Sequence, residues 1–233
     1  MQGQFYDAWG YFLSLEKQFT PQHALGLVVL AAPTERGVAS GTTQEVYDLV
    51  GSNFFNPNVG FQGGKLRNAR VRSNHEPIIQ LQHYWQINDK NRLTTGVGYR
   101  FGWNAYSALN WGNGPDPRPD YYRNLPSYYG YMSETQDPDM AAYYEELWHS
   151  DCNMRYIDWD RLYNTNRNNY QVLFDEKGRQ IAEGNRSIYV VEDRRSDQRQ
   201  FNFATTWNAL INKHLRFDLG ANYRLNRTAN FNV

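Results

Sequence analysis

The chain has 233 residues, with Lys+Arg and Asp+Glu balanced at 24 each and a single cysteine, Cys152. Zero net charge gives no electrostatic basis for a nucleic-acid partner, and one thiol excludes an internal disulfide framework, a zinc ribbon or a redox pair within these residues. A mean hydropathy of −0.79 and the lack of any apolar run of about 18 residues exclude a transmembrane helix, while aromatics at 16% suit either membrane-interface belts or a ligand surface of flat amphipathic rings.

Met1 is followed by Gln2-Gly3-Gln4, without a basic region, apolar stretch or small-residue cleavage site. No export signal is read there, so an exported protein would carry this sequence as a mature or partial chain. Phe5 to Phe19 alternates as a strand, with Phe5, Trp9, Tyr11, Leu13 and Leu15 on its greasier face. Thr20-Pro21-Gln22-His23 turns the chain, and Leu25 to Ala32 follows as a strand that is apolar on both faces. From Pro33 to Arg70 the alternation dissolves. Thr42 and Glu45 match a capping box, Val46, Leu49 and Val50 give an apolar helical face, and Gly51 is placed to end a short helix.

Pro77 to Trp103 reads as two strands joined at Asn88-Asp89-Lys90-Asn91. Pro77, Ile79, Leu81, His83, Trp85 and Ile87 share one face of the first arm; Leu93, Thr95, Val97, Tyr99, Phe101 and Trp103 share one face of the second. The opposite faces hold Glu76, Ile78, Gln80, Gln82, Tyr84 and Gln86 on the first arm and Thr94, Gly96, Gly98, Arg100, Gly102 and Asn104 on the second. That arrangement suits a membrane barrel strand, apolar outward and polar inward, better than a soluble sandwich.

A second irregular region runs from Trp111 to about Gln198, too aromatic for disorder. Asp137-Pro138 predicts an N-capped helix from Pro138 to about Trp148. Val172 to Phe174 and Ser187 to Val191, flanking Glu176-Lys177-Gly178-Arg179, predict a small hairpin. In the last hairpin Phe201, Phe203, Thr205, Trp207, Ala209 and Ile211 share a face. After Asn212-Lys213-His214, so do Leu215, Phe217, Leu219, Ala221 and Tyr223.

The expected fold is therefore all-β, an antiparallel up-and-down meander of about six strands that forms a sector of a larger transmembrane barrel. Its hairpins span about 5–32, 74–111 and 199–225, and long loops with short helices span about 33–70 and 112–198. Short turns on one side and long loops on the other are the barrel pattern. Lumen-facing positions are Gln80, Gln82, Arg100, Asn104, Asn202, Asn208, Arg216, Asp218 and Arg224. The candidate ligand-facing loop holds Trp111, Arg118, Tyr121, Tyr122, Arg123, Tyr128, Tyr129 and Tyr131, rings that could hold a ligand or pack the loop against itself. Motifs that carry chemistry are few. Gly96-Val97-Gly98 has the wrong spacing for a dinucleotide, His149 and Cys152 lack two further zinc ligands, and Glu145-Glu146 and Asp158/Asp160 read as solvated charge. No catalytic residue, metal or cofactor is assigned.

Asn74-His75-Glu76-Pro77, His83-Tyr84-Trp85-Gln86-Ile87-Asn88-Asp89-Lys90, Leu93-Thr94-Thr95-Gly96-Val97-Gly98-Tyr99, Ser107-Ala108-Leu109-Asn110-Trp111 and Pro115-Asp116-Pro117-Arg118-Pro119-Asp120-Tyr121-Tyr122-Arg123 resemble the barrel region of TonB-dependent outer-membrane receptors, over most of the chain. The resemblance implies an outer-membrane location and active uptake of a ligand too large for porins, such as a glycan, siderophore or peptide. The implied partners are outer-membrane lipid, the receptor's own plug domain and the TonB energising complex. In that family a plug fills a barrel of about 22 strands. Neither plug nor N-terminal box is recognisable here, and six strands fall short of the roughly eight that close a membrane barrel, so a barrel fragment is expected. The alternative is a soluble β-rich carbohydrate-binding module using the same aromatic loops; a glycan-degrading enzyme is a third reading without an identifiable acid pair.

Overall fold

A computed structural model describes residues 1–134 and 136–233. In chain order the strands are β1 Tyr6–Ala8, β2 Tyr11–Thr20, β3 His23–Ala31, β4 Thr34–Gly37, β5 Val59–Gln62, β6 Lys65–Asn68, β7 Val71–His75, β8 Ile78–Asn88, β9 Asn91–Asn110, β10 Tyr170–Phe174, β11 Gln180–Asn185, β12 Val190–Asn212 and β13 Leu215–Asn232. The α-helices are α1 Gln44–Val50, α2 Pro138–Ser150 and α3 Trp159–Asn168. The chain divides into a sheet unit, Tyr6–Glu35, Arg72–Tyr106 and Arg194–Val233, and a loop unit, Met1–Phe5, Arg36–Val71 and Ser107–Asp193.

The sheet unit is a mostly antiparallel meander in which β2, β3, β8, β9, β12 and β13 are successive neighbours. β1, β4 and β7 continue the lines of the first three, beyond interruptions at Trp9-Gly10, Ala32-Pro33 and Glu76-Pro77. Pro33 and Pro77 each remove a ladder donor, which explains two of the three breaks. The expected first strand is thus two pieces, while β12 and β13 run well past the alternation that signals them. The three hairpin turns share one construction. Thr20 Oγ1 accepts from the backbone N–H of Gln22 and His23, Asn88 Oδ1 from Lys90, and Asn212 Oδ1 from His214. Each turn is preceded by a one-residue register slip, at Gln18/Thr20, Gln86/Asn88 and Leu210/Asn212.

Register then sorts the side chains. Leu15 pairs with Leu27, Leu27 with Leu81, Leu81 with Val97, and Trp207 with Leu219, so the odd-numbered positions share one face. Thr95 and Thr205 meet on it at 3.0 Å between hydroxyls. The even face carries all nine expected polar positions, interrupted by Phe12, Leu30 and Ile78, which lie in one row across three strands. On the odd face Leu13, Leu15, Ile79, Leu81, Val97, Tyr99, Phe101, Phe201, Trp207, Phe217, Leu219, Tyr223 and Leu225 are exposed, from 36% at Val97 to 58% at Tyr223. Left half in water, each forgoes about 1 kcal/mol, on the order of 10 kcal/mol for the face. That is comparable to the whole stability of a typical domain, about 5–15 kcal/mol.

Rings collect at both ends of this apolar band. Near the turns, His23 and His83 lie edge to edge with Nδ1 and Nε2 3.0 Å apart, His23 stacks on Trp85 at 5.5 Å, and Trp207 meets Phe217 at 6.0 Å. At the far end, Tyr11 and His75 share a hydrogen bond of 3.1 Å, His75 meets Trp103 at 5.3 Å, and Arg195 lies over both Trp103 and Phe231. The sheet is not closed, β2 and β13 being its edges. Among the described residues no helix is long and apolar enough to cross a membrane.

The loop unit has two small cores: Val46, Leu49, Phe55, Leu125 and Trp148, and Ala69, Ile157, Trp159 and Leu162. Buried asparagines tie its segments together. Asn56 Oδ1 accepts from the Ser40, Asn58 backbone and Asn58 side-chain N–H groups, and Asn68 Nδ2 donates to Gly3 O and Val38 O. α1 ends at Gly51 with φ 71°, as its sequence predicts, but the expected capping box does not form. Thr43 is the N-cap without a side-chain bond, Thr42 donates to Asp120 Oδ2, and Glu45 accepts from the N–H and hydroxyl of Ser127. Tertiary partners win over the local bond. α2 is capped by Asp137, which accepts from Met140 N, as expected. The small hairpin pairs β10 with β11, Val172 opposite Glu183, rather than with Ser187–Val191, whose last residues open β12.

Gly102 marks the tightest point of the meander. Its φ is +134°, and a Cβ there would sit 1.9 Å from His75 O, whereas a Cβ at Gly96 meets nothing closer than 3.9 Å. Gly102→Ala is therefore expected to destabilise the sheet by about 2–3 kcal/mol and Gly96→Ala by less than about 0.5 kcal/mol, read by urea titration in detergent micelles; equal effects contradict this packing.

Candidate functional site

The expected ligand loop is held by its own rings. Tyr121 meets Tyr122 at 4.7 Å, Tyr122 meets Tyr128 at 5.2 Å, Tyr128 meets Tyr129 at 5.1 Å, and Tyr129 stacks on Tyr144 of α2 at 5.0 Å with planes 9° apart. Arg123 lies over Tyr122 and Tyr128. A π-helical turn, Tyr128–Met132, follows Ser127, whose bonds to Glu45 join this segment to α1. Trp148 is fully buried beneath it and donates its indole N–H to Asn124 O at 2.8 Å. Burial first, then Tyr144, pushes the Tyr129 phenol up to about 12. Tyr121 is raised and Tyr122 lowered, chiefly by the hydrogen bond between them.

Two clefts border this ladder. One of about 590 Å³ has Tyr131 on its wall with Leu49, Pro126, Glu145 and His149. The other, about 500 Å³, brings Phe61 together with Arg118, Asn124, Tyr156, Asp158 and Arg161. Phe61 and Tyr156 form an edge-to-face pair at 4.9 Å that gives this cleft an aromatic wall. Hydrogen-bonding groups beside an aromatic wall can orient a polar ligand of modest size. Asp158 caps α3, accepting from Arg161 N at 2.9 Å, and Asp160 also lines the cleft; both are exposed. Sequence reading missed α3 and this cleft, although Asp158 ahead of Trp159 and Leu162 is an N-cap signal before an apolar face.

Of the expected loop residues, Tyr121, Tyr122, Arg123, Tyr128 and Tyr129 come together in the ladder, Trp111 and Arg118 form a separate pair, and Tyr131 stands at the larger cleft. Arg118 lies 5.3 Å over the Trp111 ring and grips Asp116 with Nε and Nη2 at 2.5–3.1 Å. Its charge is thereby committed. Asp116 holds the Arg118 guanidinium protonated above its ordinary range, despite burial.

The expected lumen residues belong to the sheet unit and make short-range polar pairs. Arg100 meets Glu76 at 2.5 Å, Arg224 Nε and Gln200 Nε2 donate to Asn202, and Asn208 and Arg216 donate to Asp218. Gln82 accepts from the Tyr84 hydroxyl, and Asn104 sits opposite Asn74. Gln80 is exposed on the same face, opposite Gly98. No family model matches the sequence, and neither does any curated protein.

Asp120 is the strained charge of the site. Its carboxylate is 11% exposed, Oδ1 has no hydrogen bond, and Arg118 stands 3.9 Å away. Burial raises its pKa above the ordinary value of 3.8, outweighing Arg118 and Thr42. A raised carboxyl stabilises the fold fully below the unfolded value and loses that contribution as pH rises through the folded one. Asp120→Asn is therefore expected to keep or raise the thermal midpoint at pH 7, and to lose any advantage as pH falls below 4. An advantage that grows on acidification contradicts the sign.

Proposed function

We propose that the chain is a sector of the transmembrane barrel of an outer-membrane receptor of the TonB-dependent kind, with recognition carried by the loop unit and no catalysis of its own. The observation that carries the reading is the bare apolar face bracketed by rings. Trp85 pairs with Leu93 at one end of β9, and Trp103 lies ten residues further along the same strand. Ten residues span about 34 Å along an antiparallel strand, or about 24–28 Å of height at a tilt of 35–45°, matching the roughly 25 Å apolar band between aromatic girdles of outer-membrane barrels. A soluble sheet has no reason to place rings at that interval on a face that nothing covers.

The even face supports the same reading, because its polar pairs suit a water-filled or plugged lumen. Two-residue turns at one end, with long connections leaving from the other, suit a periplasmic and an outer side respectively. The clefts of the loop unit are large enough for a glycan, siderophore or peptide portion. The energising complex and a plug remain partners of the complete receptor under this proposal. A soluble carbohydrate-binding module is favoured by one observation, that the loop unit has hydrophobic cores of its own.

Fractionation separates the two readings: extraction from outer membranes only with detergent is expected, and a monomer folding cooperatively in plain buffer supports the module instead. In the complete receptor, Leu219→Arg on the odd face is expected to cost about 2–4 kcal/mol and Gln82→Arg on the even face almost nothing; equal costs overturn the assignment. A biotinylating label added to intact cells is expected to reach an epitope inserted at Lys177-Gly178 and to miss one at Asp89-Lys90, the reverse pattern inverting the topology.

A further inference from the structure

Besides its two clefts, the loop unit has a cavity of about 150 Å³ with apolar walls from Leu109, Leu162 and Val191. Its polar lining is nearly all accounted for. Asn166 Oδ1 accepts from the N–H groups of Ile188 and Tyr189, and its Nδ2 donates to Tyr189 O. The Tyr189 hydroxyl donates to Pro115 O, and the Tyr163 hydroxyl accepts from Arg67 at 3.0 Å. One fully buried donor is left over. Trp159 is 2% exposed, and its Nε1 has no hydrogen-bond partner. An orphaned buried N–H costs about 1–3 kcal/mol, and such groups are rare in folded proteins.

The charge on this cavity is equally unmatched. The Arg67 guanidinium stacks over the same indole, its carbon 4.0 Å from the ring centroid. It donates Nη1 to Gln62 and Tyr163, but no carboxylate pairs with it among the described residues. No Asp or Glu lines the cavity. We propose that this cavity is a binding site for a small carboxylate with a short apolar tail, its oxygens taking the Trp159 N–H and the Arg67 guanidinium while the tail lies against Leu109, Leu162 and Val191. The Arg guanidinium offers N–H groups in a fixed fork that suits the two oxygens of a carboxylate, and Trp159 lines the same cavity. The cavity has room for more than a single water, and a water on Nε1 would leave both the cation and the apolar walls unmatched. Hydrogen bonding from Arg67, then Gln62, lowers the Tyr163 phenol from its ordinary range despite burial. On its lining Tyr163 and Val191 are 41% and 39% exposed, so the cavity is open to solvent there.

The test is a titration of the full chain carrying 15N-indole tryptophan, with sodium butyrate, butyramide or sodium chloride at fixed ionic strength. Loss of a resonance in Trp159→Phe assigns the Trp159 indole. Butyrate is expected to shift that resonance saturably, the neutral amide and chloride to leave it in place, and Arg67→Met to weaken butyrate binding about tenfold or more. Should a variant fail to fold, calorimetric titration of the unsubstituted chain with the same three solutes measures the binding directly, with saturable heat expected for butyrate alone. No saturable response to butyrate, an equal response to butyramide or chloride, or undiminished binding in Arg67→Met each overturns the site. These outcomes are the same in micelles and in plain buffer, so they stand or fall separately from the membrane reading.

Discussion

Every property of the sheet unit follows from a pairing register that is set at three two-residue turns. Thr20, Asn88 and Asn212 each bond the backbone of the turn they open, and a one-residue slip precedes each. Side chains alternate with a period of two, so any further slip would carry Leu81, Val97 and Leu219 to the polar face and Gln82, Arg100 and Asp218 to the apolar one. Half-exposed in water, the odd face forgoes on the order of 10 kcal/mol of burial. A single apolar cover over that face would recover this stabilisation, and the register is what lets one cover reach every odd position.

The loop unit is held by different forces. Its two cores are small, and buried asparagines do much of the joining: Asn56 and Asn68 satisfy backbone groups of segments that are far apart in sequence, and Asn58 donates to the Ser40 hydroxyl. A satisfied polar network of this kind fixes a unique arrangement of irregular chain, because each misplacement would leave a buried donor or acceptor unmet. The tyrosine ladder then stacks on Tyr144 of α2, and Trp148 of the same helix bonds the Asn124 carbonyl beside it. Clefts between such segments inherit that rigidity, which is the requirement for a recognition surface built on loops.

Legibility in the sequence tracked how local the controlling physics was. The faces of β9 and β13 could be read because alternation is written into consecutive residues. The stretch of β12 from Arg194 to about Arg199 could not, because its charged residues take strand geometry from pairing with β13, and Arg195 finds Trp103 and Phe231 only once paired. The hairpin of β5 and β6 turns at Gly63 and Gly64, both at positive φ, and that Gly-Gly pair is a local signal from which the hairpin could have been read. The capping box failed because Asp120 and Ser127 offer Thr42 and Glu45 better partners. The clefts draw Phe61, Arg118 and Arg161 from three distant segments, which no local pattern announces.

The central claim is that the odd face of the meander meets lipid between two ring-marked boundaries. Nitroxide labels placed one at a time along Leu93 to Trp103 of β9, with the chain in lipid vesicles, test it through collision with oxygen and with a water-soluble nickel chelate. The account predicts alternation with a period of two, odd positions favouring oxygen most strongly near Val97 and even positions favouring the chelate. Absence of alternation, or chelate access greatest at Val97, would contradict it.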